Sequence, residues 1–177
     1  MTYKQEIEKA MKMLGEHEDT IFIGQSIKYT GTSMYWTLKD SVPDEKKIEL
    51  PVFEDVQMGM SIGMSLEGYI PISIYPRMDF LLLAFNQLVN HLDKFEKMSD
   101  GQFKPKVIIR TAIGSTTPLF PGPQHCQDYC KELRKMCKNI DIIKLNLSSK
   151  IATAYKVALL SNRSTILVEM PDKYEMD

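Results

Sequence analysis

The first residue whose type and position could do chemistry is Glu54, which follows the β-rich run Lys47 to Val52 and opens a helical pattern. A carboxylate at the start of a helix is stabilised by the positive end of the helix dipole. An ordinary first-turn glutamate would occupy the same place, so position alone leaves both interpretations open. Gly59 and Gly63 follow at i and i+4. Because glycine costs about 1 kcal/mol in a helix interior, we expect another helix or a ligand to approach this side closely.

Two further candidates lie at predicted loop ends. Phe80 follows Tyr75-Pro76-Arg77 at a strand-to-helix turn, where an aromatic ring can stack on a planar ligand or simply belong to the core. His125 lies where a proline-rich loop meets a helical pattern. It can serve as a general acid or base or as an anion ligand, or it can be an ordinary surface histidine.

The three cysteines are Cys126, Cys130 and Cys137. Their odd number and the length of the chain predict reduced, mostly buried thiols rather than a disulfide framework. His125, Cys126 and Cys130 are close enough in sequence to suggest a metal site. A closed zinc site needs four ligands at recognised spacings, so we predict no metal ligands in this chain.

Length and charge exclude several classes of protein. The chain has 177 residues, which fits one domain. Its 22 basic and 23 acidic residues give a net charge of -1, which argues against nucleic-acid binding. No apolar run reaches the roughly 18 residues of a membrane span, and the polar start lacks a signal core. We therefore expect no membrane contact, no secretion and a cytoplasmic location.

Short β-rich runs alternate with helical patterns along the chain. This alternation predicts an α/β three-layer sandwich with a mostly parallel six-stranded sheet and helices on both faces. The predicted strands are Thr20 to Ile23, Lys47 to Val52, Ile70 to Tyr75, Val107 to Arg110, Ile140 to Leu145 and Thr165 to Val168. The predicted helices are Thr2 to Leu14, Met34 to Leu38, Glu54 to Leu66, Asp79 to Met98, Gln124 to Lys135 and Ser149 to Leu160.

In such sheets, ligands bind beyond the carboxyl ends of the strands. A generic nucleotide binder of this architecture is one possibility, but the chain carries no Gly-x-Gly-x-x-Gly after a strand and no phosphate-binding Gly-Lys-Ser/Thr. The segments that this rule selects are Gly24 to Thr30, Val52 to Asp55, Tyr75 to Phe80 and Thr111 to Gln127.

An ordered set of motifs resembles the beta subunits of thiamine-diphosphate-dependent 2-oxoacid dehydrogenases, such as pyruvate dehydrogenase. The set begins with Pro51-Val52-Phe53-Glu54, followed by Gly59, Gly63, Gly68 and Pro71-Ile72, and it continues through Phe80 to Gln124-His125-Cys126-Gln127. The resemblance implies one transketolase-like pyrimidine-binding domain over residues 1–177, without the family's C-terminal domain.

The resemblance also implies a role for each matched residue. Glu54 would bond N1′ of the cofactor's aminopyrimidine and act in catalysis, and Phe80 would pack on the pyrimidine with Tyr75 and Pro76 beside it. His125 would be the second catalytic residue, near the substrate. The sequence departs from the family at Gln25, where an acidic residue is usual, and at Pro76, which replaces a methionine.

The resemblance further implies partners. The Gly-Asp-Gly…Asn motif that holds magnesium and the diphosphate is absent from the sequence. A diphosphate-binding alpha-like subunit would supply it, and the two chains would assemble into a heterotetramer. The implied substrate is a 2-oxo acid such as pyruvate, decarboxylated oxidatively. A split transketolase acting on a ketose, a 2-oxoacid decarboxylase subunit and a non-catalytic paralogue used for assembly are the alternatives.

Overall fold

A computed structural model describes residues 1–117, 120–174 and 176. Its strands form one parallel sheet in the order β2-β1-β3-β4-β6-β5, which confirms the predicted fold class. The strands are β1 (Thr20–Gly24), β2 (Lys47–Glu49), β3 (Ile70–Tyr75), β4 (Ile108–Ala112), β5 (Asp141–Lys144) and β6 (Thr165–Glu169).

Helices connect the strands. None of the described helices is both long enough and apolar enough to cross a membrane. The α-helices are α1 (Tyr3–Gly15), α2 (Ser33–Leu38), α3 (Glu54–Leu66), α4 (Met78–Leu81), α5 (Phe95–Met98), α6 (Cys130–Met136) and α7 (Ile151–Leu160). A π-helix covers Asn86–Leu92, and short 3₁₀ turns include Leu82–Ala84, Pro123–His125 and Pro171–Lys173.

Each face of the sheet is covered by its own helices. Strand side chains such as Phe22 and Ile72 pack against α1, α2 and α7 in one buried cluster. Alternate side chains such as Ile109 and Ile166 pack against α3, α6 and the helical segments between α4 and Leu92 in a second cluster. Successive strand residues point to opposite faces, so the two clusters establish the three-layer sandwich.

Most predicted strand ends agree with the structure to within two residues, but β2 is shorter than predicted. It ends at Glu49 instead of Val52. The N–H of Leu50 still donates to the carbonyl of Gly24 at 2.8 Å, whereas Pro51 has no N–H to continue the ladder. The chain therefore leaves the sheet before Glu54.

The single long helix predicted from Asp79 to Met98 is wrong in its continuity and its cap. The residue before α4 is Arg77, and Asp79 lies in the first turn without a capping bond. The run passes through 3₁₀ and π segments and breaks after Leu92. There the buried carboxylate of Asp93 accepts a hydrogen bond from the N–H of Asn139 at 2.7 Å, a distant contact that ends the helix.

The helix predicted from Gln124 to Lys135 begins later, at Cys130. The Asp128 carboxylate accepts a hydrogen bond from the N–H of Cys130 at 3.0 Å, so Asp128 sets the start of α6. Partial burial of Asp128 disfavours its charge, but hydrogen bonds from Cys130 and Lys144 outweigh this and lower its pKa to about 2. His125 consequently lies in a 3₁₀ turn before the helix.

The three cysteines are expected to differ in reactivity. All three are free thiols, with Cys130 and Cys137 buried and Cys126 half-buried. Burial raises the pKa of Cys130 to about 12 and that of Cys137 to about 11. Because the thiolate is the nucleophile, we expect iodoacetamide at neutral pH to label Cys126 first. Peptide mass spectrometry of the native chain checks this, with denatured chain labelled at all three positions as the control. Equal labelling of Cys130 and Cys126 in the native chain would contradict it.

Candidate active site

A cleft opens where the strand order reverses. From β1 the chain moves to β2 on one side and then to β3 on the other, so the loops after β1 and β3 diverge and leave a crevice at the carboxyl edge. The structure has an open cleft of about 960 Å³ at this edge. Its lining includes Gln25 after β1, Pro76 and Arg77 after β3, and Gly114 after β4. Three of the four predicted segments therefore contribute to it.

Glu54 lies behind the cleft, at the first position of α3. It is 4% exposed, and its carboxylate accepts a hydrogen bond from the side-chain amide of Gln25 at 3.1 Å. Gln25 itself lines the cleft and stands between the carboxylate and the open space. A buried carboxylate is costly without such a donor, and the N-terminus of α3 favours its charge.

The side chain of Tyr75 supports the backbone at Glu54. Its ring is fully buried, and its hydroxyl donates a hydrogen bond to the backbone carbonyl of Glu54 at 3.2 Å. Burial raises the pKa of Tyr75 well above its ordinary value, so the hydroxyl remains a donor. The structure thus places Tyr75 as a positioning residue for α3 and not on the wall of the cleft.

Phe80 and His125 are in contact next to the cleft. Phe80 lines the cleft together with Pro76, and its ring packs edge-on against the His125 imidazole, with centroids 5.5 Å apart. Nδ1 of His125 is buried and has no hydrogen-bond partner among the described residues. The structure brings the predicted aromatic and the predicted histidine into contact, while Glu54 is bonded to another lining residue, Gln25.

Arg77 and Gly114, which sequence reasoning missed, hold the His125 turn in place. Nη1 of Arg77 donates a hydrogen bond to the carbonyl of His125 at 3.2 Å. A β-carbon added to Gly114 would overlap that carbonyl oxygen and lie 2.5 Å from Nη1 of Arg77. Only glycine allows the loop after β4, the His125 turn and the guanidinium to meet this closely. The sequence carries only one signal for this contact: Arg77, Gly114 and His125 all lie in loops predicted at the carboxyl edge of the sheet.

Gly114→Ala is expected to displace the His125 turn and to destabilise the chain by about 1–3 kcal/mol, the usual cost of overpacking. Thermal unfolding of the isolated chain measures this. Gly63→Ala is the matched control, because a β-carbon there meets nothing within 4 Å and improves helix propensity by about 1 kcal/mol. The interpretation fails if Gly114→Ala unfolds at or above the wild-type temperature.

Asp172 joins two rims of the cleft. Its carboxylate accepts hydrogen bonds from the hydroxyls of Ser115 and Thr116 at 2.7 and 2.8 Å and from the N–H of Thr116 at 2.8 Å. Burial disfavours its charge, but these hydrogen bonds outweigh that and lower the pKa of Asp172 to about 2. The ionised carboxylate therefore ties the loop after β4 to the turn after β6 at neutral pH.

The described residues contain no cluster of three or more His, Cys, Asp or Glu side chains suited to a metal ion. Cys130, one candidate from the sequence, instead packs in the core beside Leu133.

Comparison with known proteins decides the family. The chain is 33% identical over 161 residues to the pyruvate dehydrogenase E1 component subunit beta of Cyanidium caldarium, covering 89% of this chain and 46% of that protein. The same subunit of Gracilaria tenuistipitata var. liui is 33% identical over 115 residues, 63% of this chain and 35% of that protein. The chain is a homologue of pyruvate dehydrogenase E1 beta subunits. This E1 beta homologue spans less than half the length of these two relatives.

The fold of this E1 beta homologue recurs in transketolases. It superposes on a solved structure described as "Split gene transketolase, inactive beta4 tetramer" with a TM-score of 0.71, covering 96% of this chain and 51% of that one. The two sequences are 16% identical, so this likeness concerns the fold alone. No protein-family model matches the chain. The resemblance drawn from the sequence motifs is confirmed by the homology.

Proposed function

We propose that this chain is the pyrimidine-binding, beta-like subunit of a two-chain thiamine-diphosphate-dependent enzyme that oxidatively decarboxylates a 2-oxo acid such as pyruvate. The observation that carries the proposal is the buried Glu54 carboxylate at the start of α3, next to the cleft at the strand-order reversal. Homology to pyruvate dehydrogenase E1 beta subunits supports it.

The residues around the cleft fit an aminopyrimidine. The Glu54 carboxylate accepts an N–H from the cleft side, supplied by Gln25. When Gln25 turns aside, the carboxyl group can take up a proton and donate it in a hydrogen bond to a pyrimidine ring nitrogen. Phe80 and Pro76 line the wall and offer apolar surface to a planar ring. Once bound, the cofactor supplies the electron sink that decarboxylation of a 2-oxo acid requires. The role of Glu54 is then to hold a proton at the pyrimidine nitrogen.

A surface on α3 supports the proposed partners. One stripe of this helix and the residue before it exposes Phe53 (60%), Val56 (40%) and Met60 (39%). The stripe continues to Gly63, where an added β-carbon would meet nothing. Contiguous exposed apolar surface is typical of an interaction site. We therefore assign this α3 stripe to contact with another subunit, within a heterotetramer that contains a diphosphate-binding alpha-like chain.

The test is coexpression with an alpha-like chain that carries Gly-Asp-Gly…Asn. The proposal expects a stable complex that binds thiamine diphosphate and Mg²⁺ and consumes a 2-oxo acid. Gly63→Leu is expected to prevent assembly while leaving thermal unfolding of the isolated chain close to wild type. A substitution on the opposite side of the molecule, Val157→Lys, changes a 55% exposed residue and serves as the control. Normal assembly of Gly63→Leu would contradict the assignment of the α3 stripe.

One observation favours a second candidate, a non-catalytic paralogue used for assembly. The amide of Gln25 satisfies the Glu54 carboxylate and screens it from the cleft. If this contact is permanent, the complex forms without binding cofactor. Gln25→Ala discriminates the two functions: a catalytic subunit already binds the cofactor with Gln25 present, whereas a paralogue gains binding only when Gln25 is removed.

A further inference from the structure

The cleft is lined by one guanidinium that forms no ion pair with the described residues. Its charged lining residues are Arg77 and Asp172. The Asp172 carboxylate is engaged by Ser115 and Thr116, and no ion pair within the described part of the chain includes Arg77. The other polar lining groups are neutral, such as the hydroxyls of Ser26 and Ser33. A small anion bound next to Arg77 would therefore meet a guanidinium without an ion-pair partner in that part of the chain, while the Asp172 carboxylate is held by the loop after β4.

Arg77 is positioned before any ligand arrives. Its guanidinium lies against Gly114, and one of its five N–H donors is used by the carbonyl of His125. The side chain is only partly exposed, which limits the entropy lost on binding. The remaining donors of a fixed guanidinium match the two oxygens of a carboxylate.

We propose that Arg77 binds the carboxylate of the substrate, a short 2-oxo acid, and thereby selects anionic over neutral carbonyl compounds. The inference rests on the proposed function for the identity of the substrate. It adds a substrate-binding residue beside His125 and Phe80, at the meeting point of the loops after β3 and β4.

The only tryptophan of the chain provides the measurement. Trp36 is unique in the sequence, lines the same cleft as Arg77 and is 53% exposed. Its fluorescence in the full chain is followed while pyruvate is added up to tens of millimolar, and separately with pyruvamide, the neutral amide of the same shape. Inorganic phosphate is the third probe.

The proposal expects a saturable change with pyruvate and none with pyruvamide. Arg77→Met is expected to weaken pyruvate binding about tenfold or more, as for loss of a charged hydrogen bond, and Arg77→Lys to lie in between. Arg163→Met is the matched control and is expected to behave as wild type, because Arg163 pairs with Asp141 and does not line the cleft.

Three results would overturn the inference: no response of the wild-type chain to pyruvate, equal binding by Arg77→Met, or tighter binding of phosphate than of pyruvate. Failure of the proposed function is distinguishable. In that case the assembled complex does not bind thiamine diphosphate, whereas the Arg77-dependent response of Trp36 to pyruvate persists.

Discussion

Glu54→Gln is expected to lower kcat of the assembled enzyme by about 10²–10⁴-fold, the range typical of losing a positioned acid or base. The glutamine keeps the length of the side chain and can still accept a hydrogen bond from Gln25 through its amide oxygen. It cannot hold or release a proton at the pyrimidine nitrogen. The fold is therefore expected to survive and the chemistry to fail, measured as steady-state turnover of a 2-oxo acid alongside thermal unfolding.

Asp55→Asn is the matched control for this experiment. Asp55 is the next residue of the same first turn of α3, and among the described residues its carboxylate accepts one long side-chain hydrogen bond, of 3.5 Å, from Gln87. Its neutralisation removes the same charge near the helix terminus without touching the Glu54 carboxylate. Turnover near wild type is expected for Asp55→Asn. Equal losses in the two variants would mean that charge near α3, and not the proton at Glu54, matters.

Arg110→Met is expected to destabilise the chain by about 3–5 kcal/mol, because it leaves a buried charge without its partner. Arg110 and Glu169 are both fully buried, with Nε donating to the carboxylate at 2.5 Å and Nη2 at 3.0 Å. The hydroxyls of Tyr155 and Tyr174 donate to the same carboxylate at 2.7 and 2.6 Å. Chemical denaturation of the isolated chain measures the loss.

The exposed pair of Arg163 and Asp141, separated by 3.2 Å, gives the comparison. Arg163→Met is expected to cost less than about 1 kcal/mol, as is usual for surface ion pairs. Loss of the Arg110–Glu169 pair is also expected to disturb the cleft. Tyr174 lines the cleft, and its hydroxyl donates a hydrogen bond to Glu169. Equal stability losses in the two variants would show that burial of the Arg110 pair does not set its energy.

Much of the fold could be predicted from the sequence because its signals are local. The short apolar run between Gly68 and Pro76 predicts strand β3 to the residue. The apolar period predicts α1 to within one residue at each end. The break after Leu92 could not be predicted, since it depends on the contact between Asp93 and Asn139. Such a pairing forms only once the sheet brings distant segments together.

In the candidate site, too, the residues with local sequence signals could be predicted and the long-range contacts could not. Glu54 and Phe80 were predicted as site residues, and the structure places both at the carboxyl edge of the sheet. The hydrogen bond from Gln25 to Glu54 joins residues 29 positions apart in the sequence. The hydrogen bond from Arg77 to His125 joins residues 48 positions apart. Neither leaves a periodic signal in the sequence. Arg110 is the last residue of the predicted strand Val107 to Arg110. Nothing in the neighbouring sequence distinguishes a buried, ion-paired arginine from an exposed one.

Calorimetric titration of thiamine diphosphate, with Mg²⁺ present, into the complex of this chain with the proposed alpha-like partner tests the role of Glu54 most directly. We expect saturable binding by the wild-type complex and binding weakened about tenfold or more by Glu54→Ala, the scale of losing a hydrogen bond to a charged group. Asp55→Asn is expected to bind as wild type. A wild-type complex that assembles and binds no cofactor, or a Glu54→Ala complex that binds it equally well, would contradict the proposed role of Glu54 in cofactor binding.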